Sequence, residues 1–218
     1  MTEPGKQGSA PDHTRPSGKK AAMEFSEAIR RRRMVRNYRP LAVSPEAVER
    51  IVGAGLSAPS AGYSQGQSLV VVTDVRIRTQ IARLAGEPGY SERGFDPWIS
   101  GAPVHIVVCV SADAYHRRYQ APDKVAADAW PVPYWWVDGG AALMAVLLAA
   151  VDEGLAAGFL GAHAVPGLSG LLGIPEDTAP VGVVTIGHPA PDRRSGSLAQ
   201  GRRPRSETVH YQRWGNGG

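Results

Sequence analysis

The sequence predicts one α+β domain, and three observations carry that prediction. Two runs, Val104–Val110 (VHIVVCV) and Val181–Ile186 (VGVVTI), are almost wholly apolar and rich in β-branched residues, as strands buried on both faces are. The segment that follows Asp138 (GGAALMAVLLAAV) is apolar on every side, the mark of a helix at the centre of a core. Strands and helices do not alternate strictly, as a doubly wound parallel sheet would require. A length of 218 residues suits one well-filled domain better than two.

The elements follow in order. Residues 1–22 are rich in Gly, Pro, Ser and Lys, bury too little to offset ordering entropy and read as a disordered leader. The domain then spans 23–214. Phe25, Ala28, Ile29 and Arg32 suggest a first helix that ends near Arg33. Ser44 and Pro45 give an N-cap and a first-turn proline, and Val48, Ile51, Val52 and Leu56 continue at helical spacing. Leu69–Val72 is a short β-branched strand, after which Asp74 caps a helix with Ile77, Ile81 and Leu84 on its apolar side. Residues 111–136 are polar and then aromatic. Asp138 is placed to cap the core helix, which runs to Asp152. A strand-like AAGFL and a helix near Val165–Leu172 lead to the last strand, and a basic, turn-rich tail from Pro189 ends in Trp214.

Composition excludes several classes. The single cysteine, Cys109, allows no internal disulfide and no multi-cysteine metal site; inside an apolar strand it is an inert packing group. The six histidines never reach H-x-x-x-H spacing, so no metal site is expected. The run Val137–Val151 is interrupted by Asp138 and shorter than the roughly 20 residues of a membrane span. The first twenty residues lack a signal-peptide apolar stretch, so the chain reads as cytoplasmic. Gly53-Ala54-Gly55-Leu56-Ser57-Ala58 fits a dinucleotide fingerprint in letters only, because it ends a helix instead of following a strand.

The net charge is only +4, yet six of the ten residues from Arg30 to Arg39 are arginine. Guanidinium groups grip phosphate bidentately, and Arg32 and Arg36, four apart, can converge on one anion near a helix end. At least one of Arg30 and Arg31 is expected to be an ordinary solvated helix residue. Downstream, Ala58-Pro59-Ser60-Ala61-Gly62-Tyr63-Ser64-Gln65-Gly66-Gln67 runs straight into a strand, with small residues that allow close approach to a planar ligand. Leu172-Gly173-Ile174-Pro175-Glu176 and Ile186-Gly187-His188-Pro189 follow, then Arg202-Arg203-Pro204.

Taken together, these segments resemble the nitroreductase family of FMN-dependent oxidoreductases. The family's R-R-S-x-R grip is matched by Arg32-Arg33-Met34-Val35-Arg36, and its P-S-S-x-N-x-Q-P-W stretch by Pro59, Ser60 and Gln65 in register. L-G-I-P-E, a G-x-P after the last strand and a late basic pair complete the pattern, which covers roughly Phe25 to Trp214. Met34 replaces the usual serine, Tyr63 the asparagine, Gly66 the proline and Gln67 the tryptophan.

The resemblance implies a central mixed sheet flanked by helices in an interlocked homodimer, with FMN at the interface and NAD(P)H as reductant. It implies that Arg32, Arg33, Met34 and Arg36 hold the phosphate and ribityl end, with one guanidinium at the pyrimidine edge. Pro59, Ser60, Ala61, Tyr63 and Gln65 would border the ring from the partner subunit. Phe159, Leu160, Gly161 and Ala162 would pass the flavin N5 side, and Arg202 or Arg203 would close on the phosphate. Residues 189–214 would form an arm anchored on the partner by Val209, Tyr211 and Trp214. The expected reaction is ping-pong hydride transfer from NAD(P)H to a nitroaromatic, quinone or similar electrophile. The flavin carries it, so no catalytic side chain is expected. Residues 111–136 would form a variable lid. Trp98, Tyr115, Tyr119 and Trp130 are candidates to stack on a flat substrate, whereas Trp135 and Trp136 are expected to pack on the core helix. Two other readings compete: a flavin enzyme oxidising a natural-product or peptide-like substrate, and a basic nucleic-acid-binding module. The second lacks aromatics interleaved with the basic residues and leaves the apolar helix without a role.

Overall fold

The computed structural model describes residues 23–124, 131–193 and 196–216. The leader expected over 1–22 and the candidate Trp130 lie outside the described residues. Four strands, β1 (Gln67–Val72), β2 (Val104–Val110), β3 (Ala156–Gly161) and β4 (Ala179–Gly187), form one sheet in the order β1-β2-β4-β3. Every neighbouring pair is antiparallel. The mixed sheet expected from the family resemblance is therefore antiparallel in this chain, with Met34 and Ala157 forming an isolated parallel bridge at the β3 edge.

Alternation along the strands divides the core into two layers. Val104, Ile106, Val108, Val184 and Ile186 face α2 (Pro45–Leu56) and α6 (Tyr134–Asp152). Val107, Cys109 and Val183 face α3 (Val75–Leu84) and α7 (Leu168–Leu172). The two central strands carry most of this burial: every residue of β2 is buried, as its almost wholly apolar sequence foretells. The remaining helices are short: α1 (Phe25–Arg31), α4 (Glu87–Ser91), α5 (Ala112–Tyr119) and α8 (Arg205–Thr208).

Local chemistry sets the boundaries. The Ser44 hydroxyl accepts from the Ala47 amide above Pro45 and starts α2. The Asp74 carboxylate accepts from the Arg76 and Ile77 amides and starts α3. The Arg76 guanidinium, followed by those amides, holds that carboxyl down to about 2. The core helix departs from expectation. It begins at Tyr134 behind Pro133, and Asp138 lies inside its second turn. That carboxylate is engaged by distant groups, described below, and so does not cap the helix.

At 19 residues α6 is long and apolar enough to cross a membrane, but it packs on the sheet and on α2 as a core helix. Its burial is one-sided. Asp138, Ala142, Val146 and Ala150 are buried, while Val137, Gly140 and Met144 form an exposed strip. Phe25 and Ile29 of α1 and Leu56 of α2 are exposed too. Trp135 packs against Tyr115, with ring centroids 6.1 Å apart, whereas Trp136 is 43% exposed. The chain from Gly196 to Thr208 is exposed throughout, and Trp214 is 90% exposed beside His210.

Candidate functional site

The edge of β3 positions the arginine segment. The Val35 amide donates to the Ala157 carbonyl at 3.0 Å, and the Arg39 amide to His188 at 2.9 Å. Buried Tyr38 places its hydroxyl 3.0 Å from the Val35 carbonyl and 2.8 Å from the Thr185 hydroxyl, and burial pushes its phenol pKa upward. Two side chains stitch this segment to the chain beyond β4. The Arg36 amide donates to the Asp192 carboxylate at 2.9 Å, and the Asn37 side-chain amide to the Pro191 carbonyl at 2.8 Å. Gly158 lets the segment lie this close, since a Cβ there would sit 2.6 Å from the Val35 carbonyl oxygen.

Beside this edge opens a cleft of about 540 Å³. Its apolar wall includes Trp98, Ile99, Phe159 and Leu160, with Gly161 and His163 at its end and Arg36, Asp192 and Arg193 at its rim. The Arg36 guanidinium stands 5.7 Å from the Trp98 ring centroid, within cation–π range. Trp98 is carried by a loop whose amides at Ile99 and Ser100 donate to buried Glu87. Behind it, His105 bonds the Ile99 carbonyl at 2.8 Å; burial, aided by Arg78, pulls its imidazole down to about 4.

Charge is distributed unevenly along the arginine run. Arg30 and Arg31 both pair with Glu27 on the exposed side of α1, as solvated helix residues do. Arg32, Arg33 and Arg36 make no ion pair with a carboxylate among the described residues. The cleft therefore joins an apolar slot to the guanidinium groups of Arg36 and Arg193, a combination suited to a flat ring bearing a phosphate. No cluster of His, Cys, Asp and Glu among the described residues is arranged for a metal ion. Burial pushes the Cys109 thiol up to about 11, consistent with an inert packing group.

The sequence-predicted residues fall into separate places. Arg36, Trp98, Phe159, Leu160 and Gly161 meet in the cleft, and Ala162 follows directly. Arg32, Arg33 and Met34 lead into it along the β3 edge. Pro59, Ser60, Ala61, Tyr63 and Gln65 precede β1, at the opposite edge of the sheet. Three strand spacings, about 14 Å, separate those two edges. The end of β3 and the start of β1 do lie at the same end of the sheet, since Gly161, Gly182, Val108 and Leu69 follow one another across the ladder. Arg202 and Arg203 are exposed on the tail, where Arg203 pairs with Glu207.

Tyr115 and Tyr119 lie away from the cleft of their own chain. Tyr115 is fully buried with its hydroxyl on Asp138, and the Tyr119 ring lies under Gly62. Both support the loop before β1 and neither lines the cleft. Sequence reasoning missed Glu87, Tyr90, Phe95 and Asp96, which complete the cleft from the stretch before β2. No periodicity or motif marks them; Arg193 and His163 had at least the signal of a basic cluster and of adjacency to the Phe159–Ala162 segment.

Residues 29–188 match the sequence profile of the Nitroreductase family. The FMN reductase [NAD(P)H] of Bacillus subtilis is 30% identical over 203 residues, 88% of this chain and 75% of that protein. Among solved structures, nitroreductase A from Vibrio parahaemolyticus superposes with a TM-score of 0.68 at 28% identity, covering 88% of this chain and 77% of its own. The NADPH:FMN oxidoreductase from Vibrio harveyi, solved with NAD+, gives a TM-score of 0.66 at 27% identity, covering 87% and 77%.

Proposed function

The chain belongs to the nitroreductase family, and on that premise we propose that it is an FMN-dependent oxidoreductase. It would pass a hydride from NAD(P)H to a nitroaromatic, quinone or similar electrophilic small molecule. The observation that carries this reading is the cleft at the β3 edge, where Arg36, in no ion pair among the described residues, and Arg193 border an apolar slot. The donor set fits FMN: cations for the phosphate, flat apolar walls for the ring, and Gly161 where the backbone must come close. A Cβ on Gly161 would lie 2.7 Å from the His163 ring, so this corner has no room for a side chain.

Bound FMN supplies the hydride relay, so the chain need contribute no acid, base or nucleophile. Arg32, Arg33 and Arg36 bind the anionic end, and a guanidinium near the ring stabilises negative charge that grows there. Trp98, Phe159 and Leu160 exclude water from one face and orient the ring. Met34 gives the phosphate no hydroxyl, which leaves that role to charge and backbone amides. One cleft that serves reductant and oxidant in turn predicts ping-pong kinetics.

The active form we propose is a homodimer. The loop holding Ser60, Tyr63 and Gln65 lies across the sheet from the cleft of its own chain, so a second copy would bring it to the flavin. The exposed apolar strip on α6, with Phe25, Ile29 and Leu56 beside it on α1 and α2, is the surface such a copy would cover. The exposed tail, with Arg202, Arg203 and Trp214, would reach over the partner. We propose that the enzyme works in the cytoplasm. The test is the visible spectrum of the purified protein with its chromophore released and identified. Flavin bands near ~450 nm, FMN on release and bleaching by NADH or NADPH support the reading. A colourless protein that takes up no added FMN refutes it.

A further inference from the structure

The loop from Pro59 to Gly66 is held in a costly shape. Tyr63 and Gln65 have φ of 58° and 50°, and Gly62 between Ala61 and Tyr63 has φ of 62°. Left-handed backbone at residues other than glycine persists only where the surroundings over-determine it, and it gathers at functional loops. Here the surroundings are α5 and the start of α6. One oxygen of Asp138 accepts from the Ala61 amide at 2.8 Å and from the Tyr115 hydroxyl at 2.7 Å. The Arg118 guanidinium donates to the Gly62 carbonyl at 2.9 Å and is itself aligned by Asp123. Aromatic rings fill the space under both glycines: a Cβ on Gly62 would meet Tyr119 at 2.6 Å, and one on Gly66 would meet Tyr115 at 2.5 Å.

These contacts grip the backbone of the loop, as does the Ser60 hydroxyl, which accepts from the Gln65 amide at 2.9 Å, and they leave the Tyr63 and Gln65 side chains outward. Tyr63 is 77% exposed, so its own chain gains no burial from the shape it adopts. We propose that Asp138, with Tyr115, Arg118 and Tyr119, are positioning residues that hold this loop in the one form able to present Ser60, Tyr63 and Gln65 to a flavin in the partner subunit's cleft. The inference rests on the functional reading above and adds to it a reason for the aromatic segment. Its Tyr115, Arg118 and Tyr119 brace the far half of the site. A loop freed from this brace would populate the competent form only in part, and apparent cofactor affinity falls by that fraction.

The test is FMN affinity, read by flavin fluorescence well below each variant's melting temperature, together with the mass in solution. Asp138→Ala should weaken FMN binding by about tenfold, the scale of a lost charge-assisted hydrogen bond. Asp138→Asn should restore most of it, because one amide oxygen can accept both bonds that a single carboxylate oxygen accepts now. Arg118→Met, a change near the surface, should weaken binding about threefold while leaving the melting temperature unaltered. It carries the test should Asp138→Ala fail to fold. Variants that melt earlier yet bind FMN within about twofold of the parent would overturn the inference, as would FMN loss that merely tracks dissociation into monomers. Failure of the unaltered protein to bind FMN would instead remove the functional reading and this inference with it.

Discussion

Gly158→Ala tests whether the arginine segment is seated on β3 as described. The new methyl group would lie 2.6 Å from the Val35 carbonyl oxygen, 2.9 Å from the Thr185 hydroxyl and 2.9 Å from Cζ3 of Trp98. The tightest of these neighbours is backbone, tied to β3 by the bond from the Val35 amide to Ala157 at 3.0 Å, so it cannot swing aside alone. Overpacking of this kind costs about 1–3 kcal/mol. Relief of glycine entropy in a strand returns about 0.5–1 kcal/mol, and a stretched Val35 bond costs about as much again. The net loss is therefore about 1–3 kcal/mol, or roughly 3–10 °C of melting temperature for a domain of this size.

Two of the three displaced groups, Val35 and Trp98, position Arg36 and the cleft wall, so FMN affinity should fall together with stability. Gly170→Ala is the control, since nothing lies within 4 Å of a Cβ there; in α7 it should be neutral or slightly stabilising. Calorimetry with and without FMN reads both quantities. If Gly158→Ala melts within about 1 °C of the parent and binds FMN equally well, the close approach of the two segments is refuted.

Arg36→Ala should raise the Kd for FMN by about 10- to 100-fold, the scale of a lost charge-assisted contact, while shifting the melting temperature little. Arg30→Ala, already paired with Glu27, should change neither; equal effects from both would mean that the run acts only through net charge. Folding stability should fall on acidification from about 6.5 to about 4, because His105 is neutral in its buried site and the unfolded chain binds its proton first. His105→Gln should flatten that limb of the pH profile, and an unchanged slope would assign it to other groups. Mixing inactive Arg36→Ala chains with inactive Ser60→Ala/Gln65→Ala chains should restore about a quarter of parental activity, one intact site in each hybrid dimer. No recovery after exchange would show that each cleft is completed within its own chain.

Much of the scaffold was legible because the signals were local. VHIVVCV and VGVVTI could only be satisfied as strands covered on both faces, and Ser44 and Asp74 announced their helices through backbone amides two or three residues away. Asp138 misled for the same reason: its pattern suits a cap, but its partners are Ala61 and Tyr115, 77 and 23 residues away. Distance in sequence also hid the near wall of the cleft. Glu87 earns its burial by accepting amides at Ile99 and Ser100, and Tyr90 and Phe95 line space that exists only once the loop before β2 is folded. The all-apolar helix invited the expectation of burial on every side, whereas one chain covers only half of it.

That uncovered half and the divided site share one physical origin. With β1 at one edge of the four-stranded sheet and β3 at the other, residues that precede β1 stand about 14 Å across the end of the sheet from a pocket beside β3. A second copy would remove the need to cross that distance. In the proposed dimer the strip of Val137, Gly140 and Met144 would gain cover, and the loop that α5 and Asp138 hold under strain would gain a ligand to meet. On this argument the exposed apolar strip, the strained loop and the arginines that make no ion pair among the described residues are three parts of one requirement. Each is unfavourable or idle in an isolated chain, and each would be satisfied by the same proposed pairing of two.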